Sequence, residues 1–123
     1  MTPLTRARAA IGTRFRLHGR NVSEGLDCVG LAALAYGAGV PSGYALRSRD
    51  IGAVRRAVGA AGLPDASVAR PGDLVLFEAG PGQLHLAIDC GDGVIHADAA
   101  LRRVVERPGA APWPELARWR AED

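Results

Sequence analysis

The chain has 123 residues, 48% of them hydrophobic and 23% charged, with a formal net charge of +2. That length suits one domain, residues 1–123, with enough chain to bury a core without staples. The weak charge, with no basic cluster interleaved with aromatics, argues against a nucleic-acid partner; two cysteines do not make a disulfide framework; and no segment nears the roughly 18 to 20 apolar residues of a membrane span.

The N-terminus, MTPLTRARAAIG, has no apolar stretch of signal-peptide length, so synthesis in the cytoplasm without an export signal is expected. All 15 positive charges are arginine, a skew that fits a GC-rich coding sequence better than a function. Pro3 opens a short helix reaching about Ala10. Residues 12 to 25, GTRFRLHGRNVSEG, carry three glycines and a polar run and read as a loop. From Asp27 to about Tyr36 the residues are mostly Leu, Ala, Val and Gly. Asp27 is placed as the cap, and Gly37 and Gly39 stop the run. A helix apolar nearly all round is a buried helix, and Cys28 falls in its first turn.

PSGYALRSRD reads as a second loop, after which Ser48 caps a helix running to about Ala61. Ile51, Val54 and Val58 share one face of it, with Arg55 and Arg56 turned away; Gly62 and Pro64 end it. The period then changes. RPGDLVLFEAG is a turn and a strand, Leu74 to Glu78; QLHLAIDC is a strand; GVIHADA returns across a Gly91-Asp92 turn; LRRVVERP is another strand. The tail APWPELARWRAED has prolines, two tryptophans and a short helix, and the segment around Trp113 and Trp119 reads equally as an exposed docking segment for a partner or as a cap on the domain's own core. Helices first and strands after predict an α+β domain with an antiparallel sheet.

The hairpin register has consequences. With Gly91-Asp92 as the turn, Asp89 pairs with Val94 and Ala87 with His96. Alternation then puts His85, Ala87, Asp89 and His96 on one face, and His85 and His96 become diagonal neighbours. Leu84, Leu86, Ile88, Ile95 and Cys90 take the core face. A thiol needs a base, and a base needs a third group to fix its tautomer. A cysteine at a helix N-terminus is biased toward thiolate by the helix dipole. Cys28, His85 and His96 therefore make a nucleophile, base and orienter set if the fold brings them together. Two other readings compete: Cys28 as a packed core thiol, and a zinc site of Cys28, His85 and His96. Asp27 also reads as a cap alone, Asp73 as a turn residue, and Glu24 and Asp98 as solvated acids.

Three blocks, in this order, resemble the NlpC family of cell-wall cysteine peptidases. They are GTRFRLHGR with GLDCVGL (12 to 31), RPGDLVLF (70 to 77) and HLAIDCGDGVIHA (85 to 97). The resemblance implies a papain-like core, with the cysteine helix packed on the antiparallel sheet. It implies Cys28 as nucleophile, His85 as general base and His96 as the residue orienting it, with no metal or cofactor. The implied substrate is an amide bond of a peptidoglycan stem peptide. Val29 stands where serine is usual, Phe15 where tyrosine is usual, and His18-Gly19 replaces a glycine pair. These departures fall on substrate contacts, and Phe15, His18 and Asp27 are the residues expected there. The short form with D-C-V-G-L is most similar to the branch encoded with phage tails and gene-transfer agents. That implies tail proteins as partners and a particle-borne enzyme acting on the wall in the periplasm. A thiol amidase or acyltransferase on the same fold, or a non-catalytic tail component, are the alternatives.

Overall fold

The computed structural model describes residues 1–37 and 49–121. The first helix, α1 (Pro3–Ala9), starts as its sequence dictates: Thr2 caps it by accepting from Thr5 N–H, and Pro3 stands at its head. Between α1 and the next helix lie two short strands, β1 (Arg20–Asn21) and β2 (Gly25–Leu26), paired antiparallel inside the segment expected to be loop. Asn21 Oδ1 accepts from Ser23 Oγ and Glu24 N–H, which closes the turn between them.

Helix α2 (Cys28–Tyr36) is capped by Asp27 and closed by Gly37, whose φ of +97° suits only glycine. Val29, Gly30, Leu31, Ala32 and Ala35 are buried, as its all-round apolar sequence requires. Helix α3 (Ile51–Ala60) buries Val54 and Val58. Its cap is Asp50, whose carboxylate accepts from Ala53 N–H, not Ser48. Aspartate at the residue directly before the helix fits the capping geometry; Ser48 and the PSGYALRS stretch lie outside the described residues.

Five strands form one antiparallel sheet: β3 (Leu74–Gly80), β4 (Gln83–Asp89), β5 (Gly93–Asp98), β6 (Arg103–Pro108) and β7 (Glu115–Trp119), in the order β6-β5-β4-β3-β7. The β4–β5 pairs Ile88↔Ile95 and Asp89↔Val94 are those of the predicted register. β7 replaces the helix expected in the tail. The free edge of β3 is the stronger partner: Leu74 pairs with Trp119, Val75 with Arg118 and Leu76 with Ala117, and Trp119 is 1% exposed. Tertiary pairing overrides local propensity here, so the segment around Trp113 and Trp119 is part of the domain and not an exposed docking tail.

The helices lie on one face of the sheet. Leu31, Ala35, Ala7 and Ala10 pack on Ile88, Ile95 and Val104, while Val29, Ala32, Val54 and Val58 pack on Leu74, Leu76, Leu86 and Trp119. Arg6 Nε donates to the Ala35 carbonyl at 2.8 Å and ties α1 to α2. On the other face, Val75, Phe77, Ala87 and Val94 are covered by Ala111 and Trp113 from the β6–β7 connection. Asp73, expected to be a turn residue, does accept from Arg70 N–H, but it is fully buried. It also receives the guanidinium groups of Arg118 and Arg120, and Arg118 bonds Asp89 at 2.7 Å. Burial opposes the charge of Asp73, but these hydrogen bonds win and hold its carboxyl below the usual range. Among the described residues no helix is long and apolar enough to cross a membrane.

Candidate active site

Cys28 begins α2, and the loop before it is held by one carboxylate. Asp27 accepts from Gly30 N–H, from His18 N–H and from Arg20 Nη1, each at 2.8 Å, and is only 6% exposed. Two glycines let the loop and the helix meet. A Cβ on Gly30 would stand 2.0 Å from the Gly19 carbonyl oxygen, and one on Gly19 would stand 2.1 Å from that of Gly25. The expected glycine-rich loop is therefore a fitted wall. His18 in it takes a positive φ of 64°.

His85 comes from β4 and His96 from β5, on one face of the hairpin, as alternation predicts. Nε2 of His85 lies 3.0 Å from Nδ1 of His96, and the two rings are nearly perpendicular. His96 is 4% exposed. Trp113 packs edge-on against both imidazoles, its ring centre 5.4 Å from each. It also leans on Phe77 at 5.5 Å.

One open cleft of about 680 Å³ is lined by Cys28, His85 and His96 together. Phe15, His18 and Asp27, the residues expected to meet substrate, line it too, with Leu17, Arg49, Asp98 and Trp113. The first and third sequence blocks thus converge on one concavity; the second supplies β3, which pairs with the strand of His85. Cys90 is elsewhere, packed among Ala7, Ala10 and Ile88, and both cysteines are free thiols. Among the described residues no group of three His, Cys, Asp or Glu side chains is arranged to hold a metal ion.

The electrostatics correct one expectation. Burial pushes the Cys28 thiol up to about 11, and the Asp27 charge adds to this; backbone hydrogen bonding at Leu86, Val29 and Cys28 itself pulls the other way and does not prevail. The helix start therefore does not make a resting thiolate, because desolvation outweighs it. Burial also pushes His85 down to about 4, helped by His96 and opposed by Asp98. His96 is lowered by burial as well, with Asp98 raising it and Arg107 lowering it. The resting pair is a neutral thiol and a neutral imidazole.

Sequence reasoning missed two residues. Asp98, expected to be solvated, lies two positions after His96 on the same face, with its Oδ2 3.9 Å from His96 Nε2. The period-2 pattern contained that signal. Trp113 sits in an irregular proline-flanked connection, where no periodicity reports which surface it covers.

No protein-family model matches the chain, and no curated protein sequence matches it. Among solved structures, the crystal structure of the NlpC/p60 domain of the peptidoglycan hydrolase SagA is similar, with a TM-score of 0.57 and 32% sequence identity. The match covers 87% of this chain and 86% of that one. Helices on one face of an antiparallel sheet, an α+β papain-like arrangement, are what the two share. With that identity over that span, the chain belongs to the NlpC/p60 family.

Proposed function

We propose that the chain is a cysteine peptidase that hydrolyses amide bonds in peptidoglycan stem peptides, working as one domain over residues 1–123 without metal or cofactor. The observation that carries this reading is the 3.0 Å bond from His85 to His96 in the cleft that Cys28 opens onto. That bond occupies Nε2 of His85 and leaves Nδ1 as its second nitrogen.

Cys28 Sγ–H gives its proton to His85 Nδ1 as the sulfur attacks the scissile carbonyl carbon. Gly30 N–H is taken by Asp27 and Leu31 N–H by the Asp27 carbonyl. The first N–H groups of the helix, on Cys28 and Val29, are thus the ones to hold the oxyanion. Collapse of the tetrahedral intermediate breaks the C–N bond, and His85 returns its proton to the leaving amine. Water, deprotonated by His85, then hydrolyses the thioester and restores the thiol. His96 keeps the base oriented throughout.

Because thiol and imidazole rest neutral, the thiolate forms only as the substrate carbonyl arrives to accept its charge. The cleft is wide enough for a peptide segment. Phe15 and His18 contact the stem peptide in this reading, Arg49 at the rim meets its carboxylates, and Asp27 holds the wall. The D-C-V-G-L form of the first block supports a place in the branch encoded with phage tails and gene-transfer agents, which carry such an enzyme to the wall. The test is mass spectrometry of defined muropeptides incubated with the parent and with Cys28→Ala. Cleavage of one stem-peptide amide by the parent alone is expected; a folded parent that cleaves none overturns the reading.

A further inference from the structure

We propose that Asp98 is a positioning residue: acting through His96, it sets the tautomers of both histidines so that His85 keeps a basic Nδ1. The inference rests on the assignment of His85 as the base.

Two neutral imidazoles sharing one hydrogen bond have two arrangements. In the first, His85 Nε2–H donates to His96 Nδ1; His96 then carries its proton on Nε2, and His85 has its lone pair on Nδ1. In the second, His96 Nδ1–H donates to His85 Nε2; His85 then carries its proton on Nδ1 and has no basic nitrogen left. The heavy-atom geometry, 3.0 Å, is the same for both. Only the surroundings of the far nitrogens decide between them.

Asp98 supplies that decision. Its Oδ1 accepts from Ala100 N–H at 2.8 Å and Leu101 N–H at 3.0 Å, which fixes the carboxylate at the end of β5. Its Oδ2 faces His96 Nε2 at 3.9 Å. That is too long for a direct hydrogen bond, and it is the span at which a carboxylate acts by its charge or through one bridging water. A carboxylate only accepts, so it favours N–H on the nitrogen it faces and disfavours a lone pair there. His96 is 4% exposed, so this preference is weakly screened. Of the other groups, the Cys28 thiol at the His85 side is only a weak donor that also accepts weakly, Arg107 on β6 is a cation, and Trp113 is an uncharged ring set steeply against both imidazoles. The first arrangement is thereby selected, and it persists when His85 becomes imidazolium, which must donate from Nε2.

Asp98→Asn tests this. The amide oxygen still serves the two turn N–H groups, while the NH₂ turned to His96 is a donor and favours the second arrangement. Long-range ¹H–¹⁵N spectra of the imidazoles report the tautomers with no substrate present. The parent is expected to show Nε2–H on both rings, and Asp98→Asn to move His85 to Nδ1–H. Hydrolysis kcat is expected to fall about 10- to 100-fold with KM little changed, and Cys28 alkylation at neutral pH to slow by a similar factor. A parent already carrying Nδ1–H on His85, or unchanged tautomers in Asp98→Asn, overturns the inference. Failure of the peptidase reading would show separately, as a parent with the expected spectra that cleaves no stem peptide.

Discussion

Nε2 of His85 stands 3.0 Å from Nδ1 of His96, with the ring planes 87° apart. The contact needs a polar partner at position 96, but not a titrating one. His96→Asn or Gln is expected to keep a substantial part of the activity, while His96→Ala loses about 10- to 1000-fold in turnover, the scale of lost general-base support. His85→Gln is expected to be nearly inactive. Hydrolysis rates on one stem peptide, with circular dichroism to confirm folding, decide this; full activity in His96→Ala would remove residue 96 from the mechanism.

The two cysteines are expected to separate cleanly. Cys28→Ala or Ser abolishes hydrolysis and leaves the fold intact. Cys90→Ala leaves turnover nearly whole but costs about 1 kcal/mol of stability through the void it opens beside Ala7 and Ile88. Turnover and thermal unfolding of both variants are the measurements. Equal loss of turnover in well-folded forms of each would contradict the assignment.

The pH dependence has a definite sign. His85 is held down to about 4, so the folded state resists its protonation. This contribution to stability is whole above the unfolded value of about 6.5 and is lost as pH falls from there to about 4. Cys28 is pushed up to about 11, so its contribution is whole below the ordinary thiol value and is lost as pH rises from there to about 11. Stability from these two groups is therefore flat across neutral pH and declines on both sides. The same shift predicts that iodoacetamide labels resting Cys28 more slowly at pH 7 than a free thiol, with the rate climbing through pH 9 to 11. Slow labelling alone therefore does not separate Cys28 from a structural cysteine, since burial raises the Cys90 thiol as well; the turnover of the two variants does. Labelling at pH 7 faster than a free thiol would contradict a neutral resting thiol.

The tryptophans are expected to fail differently. Trp119→Ala removes a fully buried ring beside its cross-strand partner Leu74 and costs about 3–5 kcal/mol. Truncation after Pro108 deletes β7 and leaves the chain unfolded by circular dichroism. Trp113→Ala leaves the fold standing but admits water to the histidine pair, with an expected loss of about tenfold in turnover. A truncated chain that stays folded would return the tail to the role of a docking segment.

Much of this architecture was legible in the residues themselves. The cap at Asp27, the buried α2, the hairpin register and the shared face of His85 and His96 all follow from periodicity and turn chemistry, because each depends on neighbours in sequence. β7 was not legible, because its state is set by the open edge of β3 some 40 residues earlier. The thiol's resting state escaped for a related reason: the helix start is local and visible in sequence, whereas the burial that opposes it comes from strands and loops folded over it. Asp98 lay within reach of the alternation argument, and Trp113 did not.

The contact between Gly19 and Gly30 has a mechanical consequence. Backbone there rests on backbone, with no side chain between to rearrange, and the Asp27 carboxylate clamps both sides of the joint. The sulfur and the wall that carries His18 are therefore one stiff jaw. An incoming peptide is not accommodated by prying that jaw open, so the shape of the cleft on the Cys28 side is set before anything enters it.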